Sequence, residues 1–538
     1  MIEINGSDRF DRIGKLAGEG NGVSCISGIT DSRSAAVSGI IAEGRKGQLL
    51  IITSSHARAE KLAEDLSLFT KKNIFVLPEE APIRINFEAK SQDVLMERLA
   101  AMSALASGKD CVVIASVLSS LKTLAPISVF LENTFLLKRG DEVDFELLKR
   151  QLSHMGYERV GTVEAKGQYV IRGGILDIFP PNRTHPCRVE FFDVEVDSIR
   201  FFDLSTQRSI GEMQSIEVYP AQLIVRTDDL FEQAAARIRE AYQSFSKKLP
   251  VQKKERLLSR LDHIVLSLET ATNLQLLENH IHYLYDKKSF LWDYMKDGSP
   301  VIVDDPDRVA ETIELATKEY LEDFKDLLDR GETISDDYKD FSGADEFLSM
   351  YQGRPAFVFT PFPKQPKGID TFKALISIIS KQAAIFNGRM DFLESELHRF
   401  AKLKYKIYII CSTAAKAENM RDFIGRCGLD EQAKVSTGTL SGGMEFPEEK
   451  LLILCDKDIF ATVKQKRVGR ESGAHRGIKA FSDIRKGDYV VHENHGIGKF
   501  LGMAQLDIQG IKKDYLKINY PSIELFKLIL VRSPSLIY

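Results

Sequence analysis

The chain is poor in several things, and each absence narrows what it can be. Six cysteines (Cys25, Cys111, Cys187, Cys411, Cys427 and Cys455) are scattered along 538 residues with no CxxC pair. That spacing speaks against a zinc site or a disulfide framework, and a reducing cytoplasm is the expected setting. No run of 18 apolar residues is present, so no transmembrane helix and no membrane partner is expected. The opening residues, MIEINGSDRFDRIGK, lack the basic-then-apolar pattern of a secretory signal. Net charge is −4, which argues against a dedicated DNA-coating protein, leaving DNA binding weak and non-specific at most. No GxxxxGK[ST] occurs anywhere in the chain.

What is present is ordinary globular composition, 43% hydrophobic and 28% charged. The length is too great for one core and predicts roughly three to five domains. Apolar runs VSCISGI, QLLIIT and CVVIAS alternate with helical stretches such as RLAAMSALAS, the pattern of a parallel α/β sheet covered on both faces. From about Leu136 the text changes to short strands with Gly, Pro and Asn turns, with Val189, Phe191 and Val194 marking one run. Residues 226–293 read as helix, starting at Thr227 and Asp228 and interrupted by Pro250, with solvated charged faces. AFVFTPFP, IYIICST and LLILCD return to α/β, and the helix AAKAENMRDFIGRCG ends at Gly428. The expected domains are 1–128, 129–219, 220–348 and 349–460, then a basic linker at 461–485 and a last β module at 486–538. Between 464 and 486, eight cations (Lys464, Lys466, Arg467, Arg470, Arg476, Lys479, Arg485, Lys486) face two acids, Glu471 and Asp483. That run is either a solvated linker or a surface that brushes nucleic-acid phosphates.

Two segments carry chemical information. The first is a loop in the position of a phosphate cradle, between the strand VSCIS and the helix AVSGIIAE. A working cradle needs glycines for close backbone approach, a lysine for the phosphates and a hydroxyl for Mg²⁺. Here Gly28 opens the loop, Asp31 and Arg33 stand at glycine positions, Ser34 at the lysine and Ala35 at the Mg²⁺ ligand. The loop is either a decayed nucleotide site or an ordinary strand-to-helix turn, and no ATP or Mg²⁺ cofactor is expected. The second is GQYVIRGGILDIFPPNRTHPCRVEFFDVEVDSIRFFD, from Gly167 to Asp203. Arg172, Arg188 and Phe192 suit a protein interface, since guanidinium forks bind carboxylates and aromatics supply buried area. The alternative is that Arg172 and Arg188 pair with Asp177, Glu190 or Asp193 and only hold the domain together. Asp177, Asp193 and Asp197 have nothing to make them converge on a metal. Glu190 and Asp193 sit in an exposed strand and turn, so no catalytic residue is assigned. His492 and His495 lack a third ligand and are read as turn residues.

The Gly167–Asp203 segment resembles the interaction domain shared by UvrB and the bacterial transcription-repair coupling factor family, and the altered loop resembles that family's decayed copy of the UvrB ATP site. SGKDCVVIASVLSSL is similar to the strand that closes UvrB's first domain. GDYVVHENHGIGKFLGM resembles the family's RNA-polymerase-interacting domain, shared with CarD. After DYLKINY the sequence departs from the family pattern, with PSIELFKLILVRSPSLIY in its place. The resemblance implies an α/β multidomain fold: a degenerate RecA-like (UvrB-like) core with an inserted β-rich domain, a second small α/β domain, and a C-terminal small β-barrel of CarD/Tudor type. It implies UvrA binding through Arg172, Arg188 and Phe192, and binding of the RNA polymerase β subunit by strand augmentation near Leu506 and Ile511. It covers the family's UvrB-like half and not its ATP-driven motor, so a non-enzymatic monomeric adaptor is the expectation. The competing reading is a UvrB-like ATP-dependent helicase subunit, which requires a lysine where Ser34 stands and the tyrosine-rich hairpin that residues 77–95 lack.

Overall fold

A computed structural model of the chain describes residues 2, 4, 7–79, 92–226, 228–270 and 274–460, and the backbone of strands at 489–492, 496–508, 511–519 and 536–537. It forms two compact units, Met1–Thr462 and Val463–Tyr538. Among the described residues no helix is long and apolar enough to cross a membrane.

The first unit is built on a seven-stranded, all-parallel sheet in the order Ala374–Ser377, Gly22–Ser27, Pro355–Thr360, Val301–Asp304, Gln48–Thr53, Cys111–Ser116, Asn73–Leu77. Gln48–Thr53 and Cys111–Ser116 are buried at every position, as a sheet covered on both faces requires. Successive side chains part to opposite faces. Leu50, Ile52, Val113 and Val303 join one core with Met96 and Leu99 of the helix Gln92–Ala106. Leu49, Ile51, Val112 and Ile302 join the other, with Ile13, Val37 and Leu62 of the helices Asp8–Leu16, Ser32–Glu43 and His56–Leu66.

Between Cys111–Ser116 and Val301–Asp304 the chain leaves the sheet and builds two further bodies. One is a six-stranded sheet in the order Ser209–Met213, Glu195–Phe202, Cys187–Phe192, Ile175–Ile178, Gln168–Arg172, Glu158–Arg159, with a ribbon of Phe135–Lys138 and Ser215–Val218 beside it. The other is a helical hairpin, Asp228–Ser246 and Val251–Thr270. Phe231, Ala234, Ile238 and Tyr242 meet Leu257, Leu261, Ile264 and Leu268 at the three-and-four spacing of one helix face. Tyr242 donates to the buried Asp337 (2.7 Å), which ties the hairpin to the turn at Ser335–Asp340.

Three expectations meet different facts here. Pro355–Thr360 and Ala374–Ser377 complete the seven-stranded sheet, whereas a boundary at 349 assigns them to the small domain. Val301–Asp304 is likewise a strand of that sheet, inside the domain expected at 220–348 as a helical second part. A short buried strand looks the same whichever sheet receives it, so periodicity fixes its type and not its membership. Val194 lies in the turn between Phe192 and Glu195, next to Asp193 with φ 57°, and not in the strand with Val189 and Phe191.

The small α/β sheet runs Lys381–Gln382, Met444–Phe446, Leu451–Cys455, Lys406–Cys411, Ala433–Thr437. Ile407, Ile409 and Leu454 pack on its own helices, Met390–Lys402 and Ala414–Arg426. Tyr408, Ile410 and Ile453 pack on Phe10, Ile13 and Leu62 of the first domain. Beside the Arg9 pairing with Glu448 and Glu449, a buried polar contact pins this junction: Asp65, fully buried, accepts from Ser441 N and Oγ, both at 2.6 Å. Burial pushes the Asp65 carboxyl up, and the two Ser441 bonds work against that shift.

The second unit shows an antiparallel ladder in the order Ile511–Asn519, Gly496–Ile508, Tyr489–His492, Leu536–Ile537. Closure into the expected barrel, His495 and the basic linker at 461–485 lie outside the described residues.

Asp65→Ala leaves the partly buried Ser441 amide and hydroxyl without their acceptor and should destabilise the chain by about 2 kcal/mol. A urea unfolding midpoint that does not move would show that Asp65 does not tie the two domains together.

Candidate interaction site

The loop at the carboxyl end of the parallel sheet is closed by the protein's own groups. Gly28 has φ 85°, and a Cβ there would run into the carbonyl oxygen of Ile378, so glycine is required. The amides of Gly28 and Ile29, the first donors of the loop, both point to the Thr360 carbonyl (2.9 and 3.3 Å). Asp31, at φ 54°, precedes the helix Ser32–Glu43 and keeps its carboxylate exposed. Arg33 turns back on Thr30, and burial pulls its pKa down, with Asp31 opposing. Ser34 Oγ donates to Asp304 Oδ1 (2.8 Å), and Arg58 Nε donates to Asp304 Oδ2 (2.6 Å). Burial works against the Arg58 charge, but Asp304 outweighs it and holds the pKa above its ordinary value. Ligands of open parallel sheets sit at the carboxyl ends of the strands. In this chain that place holds Asp304, its cation Arg58, and a second carboxylate, Asp31. Ala35 is fully buried beside them.

The six-stranded sheet presents the second site. Its inner face is apolar: Ile171 (partly buried), Leu176, Val189 and Ile199 pack into the main core. By alternation the outer face carries Arg172, Ile175, Asp177, Arg188, Glu190, Phe192 and Arg200. Register sets Asp177 opposite Arg188, and Arg188 opposite Arg200. Arg172 is opposite Ile175, and Ile175 opposite Glu190. The three residues expected from the sequence therefore share one solvent-facing surface.

Their states differ. Arg188 grips Asp177 with both arms of its fork, Nε to Oδ1 at 2.7 Å and Nη2 to Oδ2 at 2.9 Å, and its guanidinium lies 4.8 Å from the Phe202 ring centre. The bond to Asp177 raises the Arg188 pKa against partial burial. Asp177 is buried, so the internal pairing that the sequence left open is the one realised for Arg188. Glu190 goes instead to Ser198 (3.0 Å) and Arg200 (2.8 Å). Arg172 meets no carboxylate among the described residues; it donates to the Gly161 carbonyl and to Thr162 Oγ1 (3.0 Å) and remains exposed. Phe192 is 81% exposed at the end of its strand.

Ile175, which is opposite Glu190, and Val194, in the turn that follows Phe192, are also exposed large apolar side chains. Ile175 was legible, since it shares parity with Asp177 in GGILDI; Val194 was not, because its place depends on the turn at Asp193. In the second unit, Leu506 pairs with Lys513 and Ile511 with Ile508, which sets both on the hairpin of Gly496–Ile508 and Ile511–Asn519. Among the described residues no cluster of three metal-ligating side chains occurs.

Residues 135–223 match the UvrB interaction domain, and residues 484–531 match the CarD-like/TRCF RID domain. The chain is 30% identical over 534 residues to the transcription-repair-coupling factor of Bacillus subtilis, covering 96% of this chain and 45% of that protein. The proteins of the same name from Staphylococcus haemolyticus (28% over 540 residues) and Staphylococcus epidermidis (27% over 536) align over the same shares. The chain thus spans about half the length of the curated relatives it matches.

The two kinds of site residue should separate in a stability measurement. Arg188→Ala leaves Asp177 buried without its cation and should cost about 3 kcal/mol. Phe192→Ala should change unfolding by no more than about 0.5 kcal/mol. Equal effects of the two substitutions would contradict this assignment.

Proposed function

We propose, from the premise that this chain resembles transcription-repair-coupling factors along nearly its whole length and carries a UvrB interaction domain and a CarD-like/TRCF RID domain, that it acts as an adaptor of transcription-coupled nucleotide-excision repair. Its outer β-sheet face binds UvrA, with Phe192 as the apolar anchor, Arg172 as an exposed cation on the same face, and Arg188 tying the strand that carries Phe192 to its neighbour through Asp177. Its terminal β module binds the RNA polymerase β subunit, with Leu506 and Ile511 as the contact candidates. It contributes no nucleotide hydrolysis of its own.

The observation that carries the reading is the bare Phe192 ring on the same face of a well-paired sheet as Arg172, an exposed arginine that meets no carboxylate among the described residues. A rigid aromatic with a guanidinium on the same face is the composition of an interface hot spot. Against ATP use stand the two loop amides already given to Thr360 and the carboxylates Asp31 and Asp304 where phosphate charge would have to sit. Like charges at that range repel, and Arg58 is already neutralised.

The test is a titration of the whole chain against UvrA. Phe192→Ala should weaken binding by roughly 30-fold, the equivalent of about 2 kcal/mol, with its unfolding transition unchanged. Undiminished affinity would remove this face from the proposal. A parallel titration with a fluorescent ATP analogue should show no saturable binding, and saturation at micromolar analogue would overturn the closed-loop reading.

A further inference from the structure

The helical hairpin of the first unit carries an excess of cations at its tip. Asp228, Asp229, Glu232 and Glu269 lie toward its base, and Glu240 and Asp262 lie between. Between Ser246 and Leu257, at the tip, stand Lys247, Lys248, Lys253, Lys254 and Arg256, with Glu255 the one acid. Lys247, Lys248, Lys254 and Arg256 are exposed. Arginines further along the hairpin are paired, Arg237 to Asp286 and Arg239 to Glu269, whereas none of these four enters an ion pair among the described residues. Val251 stands 71% exposed among them.

Lys247 and Lys248 follow a helix carboxyl end, where cations favour the helix. The others are on the wrong side of that rule. Lys253, Lys254 and Arg256 lie in the first turns of the 20-residue helix Val251–Thr270, whose first turn holds no acid. Cations there oppose the positive end of the helix dipole, so this arrangement works against local stability. A bound anion reverses the sign: it meets the dipole and the side-chain cations together. Three of the four exposed cations are lysines, point charges suited to phosphate oxygens without bidentate geometry. The exposed tip residues include no aromatic ring on which unpaired bases could stack, which favours a duplex over a single strand.

We infer that the tip of this hairpin is a contact for the phosphate backbone of duplex DNA, sequence-independent and electrostatic. It is a different segment from the outer β-sheet face and from the basic run at 464–486, and it does not depend on the function proposed above.

The experiment is a fluorescence-anisotropy titration of the whole chain with a short labelled duplex over a range of salt. Replacing Lys247, Lys248, Lys254 and Arg256 together by Gln should flatten the slope of log K against log salt by roughly 0.9 for each phosphate that is no longer neutralised. Lys253 is left alone because its backbone abuts Gly331. Replacing Lys464, Lys466, Arg467 and Arg470 by Gln should leave the slope unchanged. A wild-type slope in the tip variant, or a flattened slope only in the second variant, overturns the inference, as does tighter binding of a single strand of equal length. A second readout guards against misfolding: Lys254→Glu should raise the melting temperature while weakening DNA binding, and a fall in both would mean that the lysine serves the fold.

Discussion

The structure of the first unit depends on one constraint, that an all-parallel sheet has to be covered on both faces. Seven strands present two apolar faces, and the period of two divides them cleanly: Leu50, Ile52 and Val113 to one side, Leu49, Ile51 and Val112 to the other. The first face shares its core with the β-rich insertion, through Leu176, Val189 and Ile199. The second shares its core with the small α/β domain, through Tyr408, Ile410 and Ile453. Neither attached domain is a bead on a string. Each completes the burial of one side of the same sheet, so the outer face carrying Phe192 rests on a continuous core.

The same economy of partners explains why the carboxyl edge of the sheet looks like a nucleotide site and is differently equipped. The strand-loop-helix geometry is there, with Gly28 at a backbone angle and a spacing that admit no side chain. What differs from a phosphate cradle is the company of the loop. Asp304 accepts from Ser34 and Arg58 across the strand ends, and Thr360 takes the first amides. A buried carboxylate with a hydroxyl and a guanidinium is a closed arrangement, costly to open by removing one partner. On the outer β-sheet face the logic is opposite. Arg188 is committed to Asp177 and Phe202, while Phe192 stays exposed and Arg172 meets no carboxylate among the described residues.

Much of this was legible beforehand. Continuous apolar runs gave the buried strands, and Asp228 and Pro250 marked the start of the hairpin and its interruption. Sheet membership was not legible: Val301–Asp304 and Pro355–Thr360 join strands some 250–330 residues earlier in the chain, and nothing local encodes that pairing. Nor was the partner of Arg188. Three acids lay within reach in sequence, and only the register of Ile175–Ile178 against Cys187–Phe192 selects Asp177. Arg58 escaped notice for the same reason, since its carboxylate is 246 residues away.

Hydrogen–deuterium exchange of the whole chain with and without UvrA tests the central claim most directly. The account predicts slowed exchange confined to the turns around Gly173–Gly174 and Asp193–Val194 and to the strand ends beside them. Exchange should stay unchanged at Ala374–Ser377, the strand at the far edge of the parallel sheet. Protection that appears elsewhere in the first unit and spares those two turns would contradict it.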